Sequence, residues 1–354
     1  MMIIMQQKKI VKGIIVTCFL GGLIPVALYF MATSLNHTKN GFDRTFSGVE
    51  LIPVGRSADI VNPYRLAESN GTIAVSLMEP GSFKTFNTSL EQIGVHEAGY
   101  KFTNRRHTSY QMIIDSPTVY LLIGNNRKIY KLNLSSGQVY DSIAVPYLFL
   151  RSTVWGNDHF AFRCFDTSRS HPLIYISLNA NYKTRMNYDA VQRKDEPGHA
   201  MEDGLLNYSS NTHQFVFTEF FSGAIHLLDT NLRSDWTIHT VDTISENMTK
   251  SGFVQTGQGK DVFTSLSPRY QVNNLSTVSR DSIFVESMIK GDNQTNRDFM
   301  DNYTIDVYSI KDRKYLCSFY IPKRKHKYLL DFKVVGNAVY VLYTDHLESF
   351  RLRA

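Results

Sequence analysis

An all-β body of repeated antiparallel hairpins, behind a single apolar N-terminal helix, is the fold this sequence predicts. Three observations predict it. From about residue 46 onward, short runs alternate apolar and polar residues, are rich in Val, Ile, Tyr and Phe, and are separated by tight polar turns. Helical periodicity is nearly absent from the same region. Ahead of it lies an uncharged stretch of 19 residues, Ile14 to Ala32. With 354 residues, 43% hydrophobic, 12% aromatic and 20% charged, the chain has the composition of a folded protein. A net charge of +6, from 38 basic and 32 acidic residues, is too small and too dispersed to predict nucleic-acid binding. Three cysteines exclude a disulfide scaffold and a multi-cysteine zinc module.

Taken in order, residues 1–13 read as a short cytoplasmic tail and residues 14–33 as a transmembrane anchor. At a rise of ~1.5 Å per residue this stretch just spans a hydrocarbon core of roughly 30 Å. Lys8, Lys9 and Lys12 precede it with no acidic residue, which orients the tail inward and exports the body. The alternative is a cleaved signal peptide, for which Ala32-Thr33-Ser34 offers a small-x-small site. In a bacterium the body would lie in the periplasm, held to the inner membrane by a single pass, or be secreted or free in the periplasm if the segment is cleaved. A polar linker, residues 34–45, leads to the body, residues 46–354. Cys164 and Cys317 fall in separate hairpin units and read as two buried thiols.

The clearest unit runs from Ser109 to Val145: SYQMIID, VYLLIG, KIYKLNL and QVYDSIAV joined by short turns. Such turns force neighbouring strands to pair antiparallel, because parallel neighbours need a long crossover. The same pattern recurs in six hairpins whose second strands begin near Thr72, Thr118, His159, Gln214, Ser282 and Ala338. Their uneven spacing lies in the range of propeller repeats. The last unit has only three strands, while Phe46–Val54 is strand-like and has no partner of its own. In a closed ring, Phe46–Val54 would serve as the outer strand of the last blade, paired with His346–Leu352, and remove two exposed edges at once. The prediction is a six-bladed β-propeller of four-stranded antiparallel blades. Seven or eight blades, or a pair of β-sandwiches, are the alternatives.

The stretches IYKLNLSSG, IHLLDTNL and IDVYSIKD, each a third strand, turn and fourth strand, carry a resemblance to known proteins. On them the chain resembles the TolB-like and NHL-like six-bladed propellers, and more narrowly their membrane-anchored, largely uncharacterised bacterial members. The resemblance covers nearly all of the body. It implies the fold and no particular reaction.

No catalytic constellation is legible. His96-Glu97 begins like a zincin motif, but Tyr100 stands where the second histidine is required. The acidic loop Tyr188–Gly204 matches no calcium-loop spacing. No Gly-x-Ser-x-Gly elbow, phosphate loop or Cys-x-x-Cys is present, so no catalytic residue, metal ligand or cofactor is assigned. In a blade whose first strand is innermost, the second-to-third loops and the blade-to-blade connections share one face, and here those connections are the longer ones. Arg105, Arg106 and His107, then Lys323, Arg324 and Lys325, fall in two of them, Arg169 in a third, and Arg151 on an innermost strand. Together they predict a basic mouth for an anionic ligand or an acidic partner segment, since the guanidinium fork suits carboxylate and phosphate. Taken singly, each basic run reads as a solvated hairpin tip, and Arg151 as the partner of an acid in the channel wall.

The expected function is a membrane-anchored, non-enzymatic scaffold that docks a protein or peptide partner through its long-loop face. A metal-dependent hydrolase or lyase, and a sensor or carrier of a small anionic ligand, are the alternatives. Sequencing the N-terminus of the mature, membrane-extracted protein is expected to recover the residues ahead of Ile14. A chain starting just after Ala32 would establish cleavage instead.

Overall fold

The computed structural model describes residues 21–26, 39–46, 48–100, 102, 110–156, 158–165, 173–179, 181, 183–187, 203–247, 251–255, 257, 259, 261–268 and 270–353. The chain divides into two units, residues 1–41 and Phe42–Ala354. In the first, residues 21–26 are helical, and the rest of the expected anchor lies outside the described residues. Among the described residues no helix is long and apolar enough to cross a membrane.

The second unit is a ring of six four-stranded antiparallel sheets. The first strand, β1 (Glu50–Arg56), belongs to the last of them. Blade I holds β2 (Pro63–Ser69), β3 (Thr72–Leu77), β4 (Ser82–Phe86) and β5 (Gln92–Glu97). Blade II holds β6 (Gln111–Asp115), β7 (Thr118–Ile123), β8 (Lys128–Asn133) and β9 (Val139–Ala144). Blade III holds β10 (Leu148–Val154), β11 (Phe160–Phe165), β12 (Leu173–Leu178) and β13 (Thr184–Asn187). Blade IV holds β14 (Gly204–Ser209), β15 (Gln214–Glu219), β16 (Ala224–Leu228) and β17 (Ser234–His239). A two-stranded hairpin, β18 (Ser251–Gln255) and β19 (Asp261–Ser265), is inserted before blade V. Blade V holds β20 (Asn273–Ser279), β21 (Ser282–Ser287), β22 (Asn302–Ser309) and β23 (Lys314–Pro322). Blade VI holds β24 (Leu329–Val335), β25 (Ala338–Tyr343) and β26 (Leu347–Arg353), with β1 outermost. The innermost strands β2, β6, β10, β14, β20 and β24 touch in turn around the axis.

Second strands such as TVYLLI (β7) and AVYVLY (β25) are nearly continuous apolar runs because both faces of each blade are covered by neighbouring blades. One buried apolar cluster fills each of the six blade-to-blade interfaces. Phe83 with Met112 and Leu121 seals blades I and II, and Phe319 with Phe332 and Val341 seals blades V and VI. Leu66 and Val75 against Leu342 and Leu347 seal blade VI to blade I. Cys164 is buried in blade III, Cys317 is half-buried in blade V, and both are free thiols.

Closure follows the predicted scheme with shifted limits. β1 pairs with β26 from Glu50↔Arg353 to Arg56↔Glu348, so the closing strand is Glu50–Arg56 rather than Phe46–Val54. Phe46 instead stacks on Tyr320 of blade V, with ring centroids 4.5 Å apart. The expected linker also loses its last four residues to the body. Arg44 is buried on blade V and spends all its N–H donors there. Nε and Nη2 fork onto the two oxygens of Asp306 at 2.7 and 3.0 Å. Nη1 reaches Gln294 Oε1 at 2.6 Å and the Ile289 carbonyl at 2.9 Å, and Nη2 reaches Ser287 Oγ at 2.8 Å. Asn293 pairs with the Arg44 backbone in both directions, and the Ser318 amide donates to the Thr45 carbonyl. Burial works against the Arg44 charge, but Asp306 more than compensates and raises its pKa.

Removing one partner of such a buried pair leaves an uncompensated charge. Arg44→Ala is expected to lower unfolding free energy by about 3–5 kcal/mol, and Arg44→Met with Asp306→Leu by less. Urea denaturation of the three proteins checks the order. An Arg44→Ala protein as stable as the parent would refute the clamp.

Candidate functional site

Strand order in each blade places the second-to-third loops and the blade-to-blade connections on one face. A girdle of backbone bonds ties these connections together there: Ile60 N–H to Asp345 O, Met78 N–H to Asn62 O, Phe220 N–H to Asp203 O, Val272 N–H to Phe220 O and Met288 N–H to Val272 O. A short helix in this face, Asn296–Asp301, is started by a capping box between Thr295 and Asp298.

Exposed apolar side chains divide sharply between the two faces. Val61 (73% exposed) and Tyr328 (72%) project from the long-loop face, as do Met78, Tyr100, Tyr270 and Met288. Others, such as Val54, Ile93, Tyr140, Trp236 and Leu316, sit on outermost strands, where one side of the sheet meets solvent. Among the described residues, the opposite face of tight hairpin tips carries no large exposed apolar side chain.

The axial channel is a cavity of 550 Å³ lined by the six innermost strands and Phe220. Near its mouth, bulges in β2, β10 and β24 let the pairing register slip just before Arg65, Arg151 and Asp331. An extra residue bends the strand and re-aims the next side chain. Arg151 donates to Asp203 Oδ2 at 2.6 Å and to the Gly204 carbonyl at 2.5 Å, and lies 5.4 Å from the Phe220 ring centroid. Burial lowers its pKa, Asp203 opposes this, and nearby Arg65 adds to the lowering. Arg65 donates from Nη1 to the Leu330 carbonyl at 2.5 Å and lies over Tyr64, but forms no ion pair with any described residue. The Asp331 carboxylate is turned into the wall, where it accepts the Leu66 and Phe332 amides at 2.9 Å each. Lys333 and Glu68 line the channel nearer the hairpin face.

The eight predicted residues fare differently. Arg151 is in the channel, as predicted, but paired with an acid, as its structural reading had it. Lys323 is half-buried, donates to the Phe299 carbonyl at 3.1 Å and sits 5.1 Å from the Tyr303 ring centroid. Burial lowers its pKa, against Glu286 and Asp301. Arg324 is forked onto Glu348, with Nη2 2.6 Å from Oε2, and its pKa rises accordingly. Lys325 alone of this run is exposed. Arg105, Arg106, His107 and Arg169 lie outside the described residues, as does most of the acidic loop. Among the described residues no group of three or more His, Cys, Asp and Glu side chains is placed to hold a metal ion.

Sequence reading missed Arg65 and Glu286. Arg65 was findable, since PYRLAE is an innermost strand just as LFLRSTV is. Glu286 had no signal: it interrupts an apolar second strand, IFVES, and is buried behind the channel wall. Asn274, on the innermost strand, donates to its Oε2 at 2.8 Å. Burial pushes its pKa from 4.5 up to about 7, with Asn274 and Lys323 opposing.

No family model matches this chain, and no curated protein matches it either. Solved structures do. One is a streptogramin B lyase, 12% identical, with a TM-score of 0.51 over 88% of this chain and 100% of its own. Another is a member of the DUF4221 family from Bacteroides vulgatus, 10% identical, with a TM-score of 0.52 over 90% of this chain and 100% of its own. At these identities the likeness is one of β-propeller fold.

The folded protein holds Glu286 protonated up to about pH 7, whereas the unfolded chain releases that proton near 4.5. Below 4.5 both states hold the proton. Between the two values only the folded state does, so stability falls as pH rises and levels off above 7. Glu286→Gln is expected to abolish this fall and to gain stability over the parent above neutrality, on the order of 3 kcal/mol. Thermal or urea unfolding from pH 4 to 8 reads it, and parallel curves for the two proteins would count against it.

Proposed function

We propose that the chain is a membrane-anchored, exported propeller that acts as a non-enzymatic scaffold and docks a protein or peptide partner on its long-loop face. The observation that carries this reading is the one-sided display of Val61, Met78, Tyr100, Tyr270, Met288 and Tyr328. Exposed apolar side chains gathered on one face, around a polar centre, favour a macromolecular partner. Loops set on a rigid ring are also where binding surfaces most often form. The anchor is supported by the uncharged stretch Ile14–Ala32 behind three lysines. On this reading the propeller of a bacterial cell would lie in the periplasm.

Charge placed in the apolar rim tests the face. The full chain, solubilised in mild detergent after in-cell crosslinking, is compared with Val61→Glu/Tyr328→Glu and with Asn337→Glu, on the opposite face. A discrete partner is expected with the parent and with Asn337→Glu, and at least about tenfold less with the rim variant, as for loss of a central anchor. No discrete partner, or equal capture by all three, would overturn the reading.

A further inference from the structure

The two channel arginines are not equivalent. Asp203 neutralises Arg151, whereas Arg65 has one backbone acceptor, an aromatic neighbour and no carboxylate among the described residues. Asp331, the acid on the adjacent inner strand, is committed to two backbone amides. On β6, the inner strand on the other side of β2, Gln111 Oε1 accepts the Ser152 hydroxyl at 2.6 Å, which leaves the Gln111 amide N–H groups for the cavity. The mouth end of the chamber therefore offers hydrogen-bond donors from Arg65 and Gln111, while Tyr64, Leu205, Leu330 and Phe220 give it apolar walls. A volume of 550 Å³ is that of a small-molecule site.

We propose that this chamber is a seat for a monocarboxylate carrying an apolar body. The carboxylate is gripped by Arg65 and Gln111, and the body lies against Tyr64, Leu205, Leu330 and Phe220. A planar guanidinium with free N–H groups matches a carboxylate in geometry. A single negative charge suffices, because Arg151 already has its counter-ion. The carboxylate could belong to a free small acid or to the end of a peptide chain. The proposal does not rest on the docking reading, because the chamber can fill whether or not the rim holds a macromolecule.

Calorimetric titration of the full chain in detergent tests it, with 4-phenylbutyrate, its primary amide, inorganic phosphate, and a leucine-terminated pentapeptide as free acid and as amide. Saturable binding of at least one free acid is expected, with the matching amide at least about tenfold weaker. Arg65→Gln should lose that tenfold preference and Arg65→Lys regain part of it. Leu205→Trp, which fills the chamber without touching the charge, should block binding. Tighter binding of the peptide assigns the seat to a chain end, and tighter binding of phenylbutyrate to a small acid, both in support. Acid and amide binding alike, no acid binding, phosphate outcompeting both acids, or unchanged binding by Leu205→Trp would overturn it. Partner loss in the rim variant together with no acid binding would sink the seat and leave the docking face standing. The reverse pair of results would do the opposite.

Discussion

The structure depends on one buried ion pair, in which an arginine outside every strand, Arg44, is held by Asp306 of β22. A propeller ring has no internal seam until its first and last segments meet, and the strand that closes this ring is held at one end by Arg44. Its fork onto Asp306, with every remaining N–H satisfied by Gln294, Ser287 and the Ile289 carbonyl, fixes residues 42–46 on blade V. Four residues past Phe46, β1 then completes blade VI. One short segment thus spans two blades. Its side-chain clamp on the first complements the backbone ladder on the second, and the edge that β26 would otherwise expose is covered.

That closure sets the geometry of everything on the axis. With six blades the inner strands stand far enough apart to leave a chamber, yet near enough for side chains from neighbouring blades to reach one another, as Arg65 reaches Leu330 and Arg151 reaches Gly204. The bulges near the mouth are what bring charge to that level. The same ring sorts its loops: tight tips on one face, long connections on the other. Binding capacity is thereby concentrated on one side of a rigid body.

Most of the architecture was legible because strand-length alternation and two- to five-residue turns are local signals. Five of the six second strands begin at the predicted residue, and the sixth at Phe160 rather than His159. The closing strand was legible through a counting argument, since a three-stranded last blade demands a donor. Its limits were not, because Phe46 is apolar enough to read as strand although its partner is the Tyr320 ring. Arg44 was illegible for a deeper reason: a single arginine in a polar segment looks solvated unless its distant acceptors, Asp306 and Gln294, are known. The hairpin β18–β19 was missed as a short, irregular pattern inside a long connection. At the site, Arg151 was found and Arg65 was not, although both occupy inner strands. What separates them is the placement of Asp203 and Asp331, which only the folded chain reveals.

The antiparallel zipper of Glu50 against Arg353 also has a consequence for how the molecule is made. The two residues lie roughly 300 positions apart, so bringing them together costs on the order of 5 kcal/mol in chain entropy. During translation the early strand leaves the ribosome long before its mate exists. Blade VI is therefore the last to be completed, and until then β1 is an unmated edge that must be kept from pairing with the wrong chain.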